Sequence, residues 1–503
     1  MTTTAMETRA GGGGVRLLQI LVVIAALAPV ISGADPTTVV PEDVRTLSGI
    51  LWLLCWLPSL VYLTRHPSRR SPIPLLPIIG IAHGMYYALQ LTVGVDNANQ
   101  IQTITMAPLD PRREYDAPVR LALGGWIALL VGYMAAKQLL PARPLRVAEG
   151  VSIPVLRTWG VRLLVGGIAF DVMRQALPVP LVLRGALNFA AMLAQFGMAV
   201  LIVLNVRGWL RRWHQMVLLG GVAAILLLAI GTGSIASAVF AVLTALLAMW
   251  IGEQRVRPWW IVVGIAAMAL FVALRGVAMD YRRIAWFTNE QLPVAQRSQV
   301  ILGILAQRVE REGVEGAVLH GWETVSTRSA NMDLFADVVR RTPRDVPYWN
   351  GATYLSLVGM AVPRVIWPNK PVKQLGQTFG HRYEYLGEWD RSTSVNLPYF
   401  VEFYCNFGAT GVLLGMFIVG ILYAALEQRL NTPRQGAFLS LCALVLLVPL
   451  INIESDFSLI FGGLLLNGVA LWSVLAYITR TARPAPAPVP MQGGGRLAGA
   501  GAP

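Results

Sequence analysis

The chain is 503 residues long, and 55% of its residues are hydrophobic while only 14% are charged. A soluble domain carries about a quarter charged residues, so this composition excludes several soluble domains in tandem. The basic balance, 41 Lys and Arg against 27 Asp and Glu, does not indicate a nucleic-acid partner, because the cytoplasmic loops of membrane proteins collect basic residues during insertion.

Twelve apolar segments, each about as long as a membrane-spanning helix, follow one another along the chain. They lie at about residues 15–34, 47–64, 73–95, 117–140, 157–176, 184–206, 215–233, 235–252, 258–279, 400–424, 436–453 and 457–479. The first resembles a signal peptide, but we expect a retained anchor because further spans follow. The sequence therefore predicts an all-α polytopic membrane protein with about 12 transmembrane helices. Its bundle comprises 15–279 and 400–479, a large loop occupies 280–399, and the Gly- and Pro-rich tails 1–14 and 480–503 are expected to be disordered.

The connections between the spans alternate in charge. Arginines follow every second span, beginning with Arg65, Arg69 and Arg70, whereas the other short connections carry acidic residues or no charge. Since basic connections stay in the cytoplasm, both termini are predicted to be cytoplasmic and the loop 280–399 to lie outside. The apolar stretch 351–362 is too short to span, and a crossing there would place the later arginines on the wrong side. We expect it to lie at the outer interface.

The loop 280–399 is predicted to be a folded helical cap and not a linker. Two segments within it, at 300–309 and 332–339, repeat apolar residues with the spacing of a helix. Loops of this length commonly bind ligands or carry catalytic residues. The cap is therefore where we expect function.

The densest polar feature of the cap runs from Arg364 to Arg382. It also contains Lys370, Lys373 and His381 but no acidic residue. Cations held together without counter-ions repel one another unless an anion lies among them, and a diphosphate is the obvious candidate. Anionic lipid headgroups are the alternative ligand. His381 is a candidate proton carrier because it lies within this segment.

A carboxylate follows where the cap enters the tenth span. Glu402 and Asn406 are four residues apart and share one face of a helix. A carboxylate in an apolar helix costs several kcal/mol unless it is paired or faces water, so Glu402 is expected to point toward the basic segment. It is either a general base or the partner of Arg364 or Arg382 in a structural ion pair.

Charged residues also occur near the predicted outer ends of two earlier spans. Arg275 either extends to the lipid headgroups or lines the cavity, and Arg282 lies just beyond it. Asp171 and Arg174, three residues apart, are expected to pair with each other. The chain has no phosphate-binding glycine loop, HExxH or CxxC motif, so nucleotide hydrolysis and ordinary zinc chemistry lack support.

Several motifs together resemble one enzyme family. They are Pro363-Arg364-x-Ile366-Trp367-Pro368-x-Lys370-Pro371, then Gly376 and Phe379, then Glu402-x-Tyr404-x-Asn406-Phe407-Gly408-x-x-Gly411, with Ser326-Thr327-Arg328-Ser329 and Asn350-Gly351-x-x-Tyr354 upstream. This pattern is similar to that of the oligosaccharide repeat-unit polymerases (O-antigen polymerase, Wzy type). The resemblance is strongest over about residues 325–415.

The resemblance implies a GT-C-like helical enzyme of the bacterial inner membrane with its active site facing the periplasm. Such an enzyme transfers a growing glycan from undecaprenyl diphosphate onto a new lipid-linked repeat unit. It uses no nucleotide sugar and no metal or other cofactor. The implied partners are the two undecaprenyl-diphosphate-linked oligosaccharides, membrane lipids and a chain-length regulator, with no nucleic acid.

Candidate roles follow for individual residues. Glu402, by its position, or in second place His381 would accept the proton of the attacking hydroxyl. The residues expected to bind the diphosphate are Arg364, Lys370, Arg382, Arg328, Arg275 and Arg282. The residues expected to contact sugar are Tyr404, Asn406 and Trp389.

Two other functions remain open from the sequence. An O-antigen ligase shares the lipid-linked donor and the overall plan. A lipid-linked oligosaccharide flippase or secondary transporter would suit twelve spans, but transporters usually carry polar residues at mid-membrane on paired broken helices. In this sequence the polar residues concentrate in the loop 280–399, and no internal repeat is visible.

Overall fold

Helices form all the regular secondary structure of the residues that the structure describes. The computed structural model describes residues 12–32, 40–93, 109–141, 152–176, 181–231, 235–253, 294–328, 331–361, 374–391, 393–433 and 435–481, with isolated residues between 257 and 281 and Trp367. Seven helices within these ranges are long and apolar enough to cross a membrane. In such helices every backbone polar group is paired within the segment, as a lipid environment requires. The chain is therefore a helical membrane protein.

Ten helices precede the predicted cap in the described ranges. They are α1 (Gly12–Ile31), α2 (Glu42–Thr64), α3 (Leu75–Tyr87), α4 (Leu89–Val93), α5 (Pro111–Glu114), α6 (Asp116–Leu139), α7 (Ile153–Ala176), α8 (Leu181–Val206), α9 (Arg212–Gly231) and α10 (Ile235–Glu253). They cover the first eight predicted spans, although the third is interrupted at Ala88 between α3 and α4. The ninth predicted span, 258–279, lies only partly within the described residues.

Seven further helices follow in the described ranges. They are α11 (Val294–Arg328), α12 (Asn331–Arg341), α13 (Leu355–Ala361), α14 (Leu375–Arg382), α15 (Tyr399–Leu430), α16 (Ala437–Leu447) and α17 (Gly463–Thr481). A 3-10 helix, Val448–Ile451, extends α16, and a π-helix, Ser458–Gly462, leads into α17. The helical patterns predicted at 300–309 and 332–339 are confirmed by α11 and α12.

Glycines let α6 and α15 approach each other closely. A Cβ atom on Gly132 would lie 2.1 Å from the carbonyl oxygen of Phe417, and one on Gly420 would lie 2.1 Å from that of Leu129. Only residues without a side chain allow such contacts, which supply packing energy where lipid offers no hydrophobic driving force between helices. The closely packed α6–α15 pair therefore supports the side chains that α15 contributes.

The tenth predicted span, 400–424, is not one continuous helix, and this part of the prediction is corrected. The backbone of α15 leaves helical geometry at Phe407 and at Gly408, where φ is 63°. A Cβ on Gly411 would lie 2.3 Å from the carbonyl oxygen of Phe403, and one on Gly415 would lie 2.5 Å from the Phe403 ring. In a straight helix, residues eight and twelve apart are separated by about 12 and 18 Å. The segment 399–406 therefore folds back against 409–430, and we call it the re-entrant helix.

The re-entrant helix lies beside the middle of α6 and not at its end. Phe400 reaches within 2.7 Å of the Cβ position of Gly125, which lies nine residues into α6, or about 13 Å along its axis. The Phe400 ring also contacts His83 and Tyr87 of α3, with centroids 5.5 and 4.9 Å away. Glu402 was expected at the edge of a span, but it lies inside the helix bundle.

The later part of the cap is described at residues 331–361, 374–391 and 393–398, and it rests on the bundle through α12. This helix packs against α3, α5, α6 and α15, and it carries two buried acids. Asp333 accepts hydrogen bonds from Tyr115 Oη at 2.6 Å and from Gln90. Asp337 accepts from Tyr385 Oη at 2.6 Å and from Arg340. Because buried carboxylates need such partners, the contacts of Asp333 hold the cap on the bundle, and those of Asp337 hold the cap together.

The apolar stretch 351–362 does not form a span within its described part. It contains a 3-10 turn, Ala352–Tyr354, and the seven-residue helix α13, and at 1.5 Å per residue a helix of this length cannot cross a bilayer. Helix α13 packs against the π-helix and α17.

Candidate functional site

The re-entrant helix and a turn of the cap are joined by the side chain of Asn406. Its Oδ1 accepts a hydrogen bond from the backbone N–H of Gly351 at 2.8 Å. Its Nδ2 donates to Thr353 Oγ1 at 2.9 Å and to the carbonyl oxygen of Glu402 at 2.8 Å. One amide therefore joins two segments that lie about fifty residues apart in the sequence.

The cap turn can surround Asn406 because two successive residues adopt left-handed backbone conformations. The φ angles are 49° at Asn350 and 86° at Gly351, a region that glycine and asparagine occupy more readily than other residues. On one side of this turn, the N–H of Trp349 donates to the carbonyl oxygen of Cys405 at 3.0 Å. This conformation gives a physical reason for the Asn-Gly pair in the sequence.

Aromatic rings close the other side of the turn. The Tyr354 ring stacks on Phe407 with centroids 6.3 Å apart, and it meets Phe457 edge-on at 6.0 Å. The Tyr348 hydroxyl lies 2.7 Å from the Cβ position of Gly408, the residue at which the chain reverses. Any side chain at position 408 would therefore collide with the cap.

Glu402 lies where the re-entrant helix meets the beginning of the last helix. Its side chain is fully buried, and Oε2 accepts a hydrogen bond from the backbone N–H of Phe457 at 2.7 Å. Close by, the N–H of Tyr399 donates to the carbonyl oxygen of Ser455 at 3.0 Å. The free N–H groups at a helix N-terminus stabilise negative charge, so the start of the π-helix is a favourable neighbour for this carboxylate.

The π-helix is a further irregularity at this point. Such single-turn segments occur frequently at functional sites, and here the π-helix begins one residue after Phe457.

Arg382 holds a defined position on the cap. Its Nη2 donates to the carbonyl oxygen of Pro347 at 2.8 Å, and its guanidinium lies over the Trp349 ring, 4.8 Å from the centroid. The sequence left open an ion pair between Arg382 and Glu402. In the described contacts, Arg382 instead donates to Pro347, and Glu402 accepts from the backbone of Phe457. Stacking on an indole keeps a guanidinium planar and oriented while leaving other N–H groups to donate.

His381 precedes Arg382 at the end of α14. The residue is half-buried, but its Nε2 atom is covered and makes no hydrogen bond within the described part of the chain. The two residues occupy the last turn of α14, so a basic nitrogen and a cation are adjacent on the cap.

Tyr383, the residue after Arg382, connects the cap to the re-entrant helix. Its hydroxyl lies 2.6 Å from Thr342 Oγ1 and 3.4 Å from the Cys405 sulfur. Burial raises the pKa of Tyr383, and the neighbouring Cys405 raises it further. Burial also raises the pKa of Tyr385, as does the carboxylate of Asp337. Both phenols therefore remain protonated, and their hydrogen bonds hold the cap together.

The three residues expected to contact sugar lie in different surroundings. Asn406 is fully buried, and its amide is occupied by the contacts described above. Tyr404 is also largely buried, with its ring edge-on to Phe335 at 5.7 Å. Trp389 is 86% exposed. The geometry thus assigns Asn406 and Tyr404 to packing and leaves Trp389 free to contact a large ligand.

Several of the predicted diphosphate ligands lie outside the described residues. Arg275, Arg282, Arg364 and Lys370 are in this group, and only the backbone of Arg328 is described. Among the residues that the structure describes, no group of three or more His, Cys, Asp or Glu side chains is placed to hold a metal ion.

Sequence reasoning missed two contributors to this site. Thr353 carries no charge and belongs to no common motif, yet it accepts a hydrogen bond from Asn406. Phe457 acts through its backbone N–H, which no residue type reveals. The signal that was present is the spacing of Gly408, Gly411 and Gly415, since glycines on one helix face permit a second chain segment to approach closely.

Comparison with known proteins gives one match. Residues 179–448, more than half of the chain, match a family model described as Domain of unknown function (DUF8712). No curated protein and no solved structure matches the chain. The matched region ends in the 3-10 helix after α16, so it includes the described cap and the re-entrant helix. The chain belongs to the DUF8712 family.

Proposed function

We propose that the protein is a polyprenyl-diphosphate-dependent glycosyltransferase that polymerises lipid-linked oligosaccharide repeat units. In this proposal it is a GT-C-like enzyme of the bacterial inner membrane with twelve spans, cytoplasmic termini and a periplasmic cap. One observation carries the proposal: the Gly351 N–H donates to Asn406 Oδ1 at 2.8 Å. Two motifs that resemble the polymerases, Asn350-Gly351-x-x-Tyr354 and Glu402 to Gly411, thereby form a single structure.

The cap offers suitable chemistry for the leaving group. Breaking the bond between an anomeric carbon and diphosphate leaves several negative charges, and cations fixed in advance stabilise them as they develop. Arg382 is fixed in this way by Trp349 and Pro347. Arg364 and Lys370, from the same basic segment of the sequence, would complete the diphosphate site.

The attacking hydroxyl of the acceptor sugar must lose a proton. His381 is the less buried of the two residues, because it is half-buried beside Arg382, although its Nε2 atom is covered, while Glu402 is fully buried against Phe457. We therefore assign proton transfer to His381 and a positioning role to Glu402, which holds the start of the last helix against the re-entrant helix.

A transporter of lipid-linked oligosaccharide is a second candidate, favoured by the broken helices. The interruption at Ala88 between α3 and α4, the reversal at Gly408 and the π-helix at Ser458–Gly462 resemble the discontinuous helices of transporters. An intramembrane carboxylate such as Glu402 is also typical of them. The enzyme remains our first proposal because the two motif segments meet next to Trp349, on which the Arg382 guanidinium is stacked.

Purified protein in proteoliposomes distinguishes these candidates. With an undecaprenyl-diphosphate-linked repeat unit as the only substrate, the polymerase lengthens the glycan on its lipid carrier. Movement of the substrate across the bilayer without lengthening would refute the enzyme and support the transporter. Transfer of finished glycan only when lipid A core is added would identify a ligase.

A further inference from the structure

A polar cavity lies away from the cap contacts, among α7, α8, α9, α10, the 3-10 helix and α17. Its volume is about 290 Å³, near the lower limit for sites that bind small molecules. The polar side chains in its lining are Asp171, Arg174, Gln195, Ser237 and Asn467. The cavity lies between helices of which α7 and α9 are long enough to span a membrane, and it is open on one side, where Asp171 and Arg174 are partly exposed.

The two charges of the cavity neutralise each other. Arg174 donates to Asp171 Oδ1 through Nε at 3.1 Å and through Nη2 at 2.6 Å, which confirms the pair predicted from the sequence. The pair leaves no net charge, so the cavity does not favour a strongly anionic or cationic ligand. Only one carboxylate oxygen and part of the guanidinium are used in the pair.

The neutral polar groups of the cavity show no hydrogen-bond partners among the described residues. Within the described part of the chain, no side-chain hydrogen bond joins Gln195, Ser237 or Asn467 to another residue. Polar groups inside a membrane protein cost free energy unless they are hydrogen-bonded. A cavity lined by several such groups is therefore occupied by water or by a polar ligand.

The combination of side chains indicates which ligand fits. Amides and a hydroxyl both donate and accept hydrogen bonds, so they can pair with neighbouring hydroxyl groups of one ring. The wall adds the aromatic ring of Phe240 and aliphatic side chains such as Ile168, which suit the C–H face of the same ring. A neutral, hydroxyl-rich ligand meets all of these requirements.

A short segment of the chain connects the wall of the cavity to the candidate site. Val448 and Pro449 form part of its wall, and the same segment continues to Ser455 and Phe457. These two residues contact the backbone of Tyr399 and the carboxylate of Glu402, as described above. The segment 448–457 thus runs from the cavity wall to the re-entrant helix.

We propose that this cavity binds a sugar residue of the lipid-linked oligosaccharide, through Gln195, Ser237 and Asn467. This inference rests on the proposed function, since it assigns to the substrate glycan a subsite separate from the diphosphate site on the cap.

The test separates the sugar contribution to binding from the lipid contribution. Native mass spectrometry of the purified full-length protein measures binding of two probes. These are undecaprenyl-diphosphate oligosaccharide extracted from the cells that make it, and undecaprenyl diphosphate without sugar. Wild-type protein should prefer the glycosylated probe by at least about 10-fold, because one or two hydrogen bonds are lost without the sugar.

The Gln195→Leu/Asn467→Leu double variant should lose this preference while it binds the bare lipid as wild type does. Its unfolding temperature should stay the same or rise, because apolar groups replace polar groups that have no protein partner. If the double variant does not fold, Ser237→Ala should reduce the preference by a smaller factor. The matched control is Asn205→Leu at the other end of α8, where Gln215 donates to Asn205 Oδ1 at 2.9 Å.

Other outcomes overturn the inference. An unchanged preference in both cavity variants would mean that the cavity holds only water, and the proposed function would stand. Equal binding of both probes by wild type would also refute the sugar subsite. Failure of wild type to bind either probe would instead contradict the proposed function itself.

Discussion

Asn406 accepts a hydrogen bond from the backbone of Gly351 at 2.8 Å, and through this contact the re-entrant helix and the cap become one unit. The same amide donates to Thr353 and to the carbonyl oxygen of Glu402. Because two of these contacts are buried and the one from Gly351 is partly buried, losing them leaves polar groups unpaired and shielded from water. The residue thus controls whether the two motif segments stay together.

Replacing Asn406 with Leu should therefore lower the stability of the protein and not only its rate of polymerisation. With about 1 kcal/mol for each of three hydrogen bonds, the free energy of unfolding should fall by roughly 3 kcal/mol. Thermal unfolding in detergent measures this change, and Asn205→Leu, at an exposed position, serves as the control. Loss of polymer with an unchanged unfolding temperature would show instead that Asn406 contacts sugar.

Gly408→Ala tests the reversal of α15. With φ 63° and ψ −149°, Gly408 adopts a conformation that is essentially restricted to glycine and costs an alanine about 1–3 kcal/mol, and the alanine Cβ would lie 2.7 Å from the Tyr348 hydroxyl. We expect a lower unfolding temperature and lost activity. The control is Gly468→Ala in α17, where no atom lies within 4 Å of the Cβ position and alanine should be neutral or stabilising. Equal behaviour of the two variants would contradict a fold-back at Gly408.

The helical patterns of the cap could be predicted, whereas the reversal inside α15 could not. Periodic apolar residues at 300–309 and 332–339 indicated α11 and α12 because one face of each helix is buried. Along 399–430 most residues are apolar on every side, because one side packs against other helices and the other, with Leu414 and Ile418, is exposed where lipid would cover it. A uniformly apolar run does not show the direction in which the chain proceeds, and Phe407 and Gly408 alone do not mark a reversal.

The contacts of Glu402 and Asn406 could also be predicted only in part. The shared helix face of Glu402 and Asn406 followed from their spacing, and the hydrogen bond between Asn406 and the Glu402 carbonyl lies on that face. The partner of the Glu402 carboxylate did not follow, because a backbone N–H at the start of a distant helix has no sequence signature. Pairing with an arginine was the prediction that charge alone suggests.

Glu402 and His381 are expected to respond differently to substitution. Glu402→Gln keeps an oxygen that accepts the Phe457 N–H, so the variant should fold and retain polymerisation to within about 10-fold. His381→Ala removes the proposed proton acceptor and should lower the rate by about 10²–10⁴-fold without changing the unfolding temperature. Single-turnover assays on the synthetic lipid-linked repeat unit compare the two. The opposite ranking would make Glu402 the base and require the segment 452–457 to open during the reaction.

Arg382 should act through its charge and through its orientation on Trp349. Arg382→Ala removes both, and the loss of one oriented donor to a developing anion costs roughly 100-fold in rate. Arg382→Lys keeps the charge but loses the planar stacking group, so its rate should lie between those of Arg382→Ala and wild type.

The matched control on the cap is Arg344→Ala, because Arg344 is exposed and pairs only with its neighbour Asp345 at 3.0 Å in the described residues. Binding of bare undecaprenyl diphosphate should weaken in the Arg382 variants and not in the control. If the control and Arg382→Ala lose equal activity, the cap cations act by general attraction to phosphate, and the position of Arg382 over the indole has no special role.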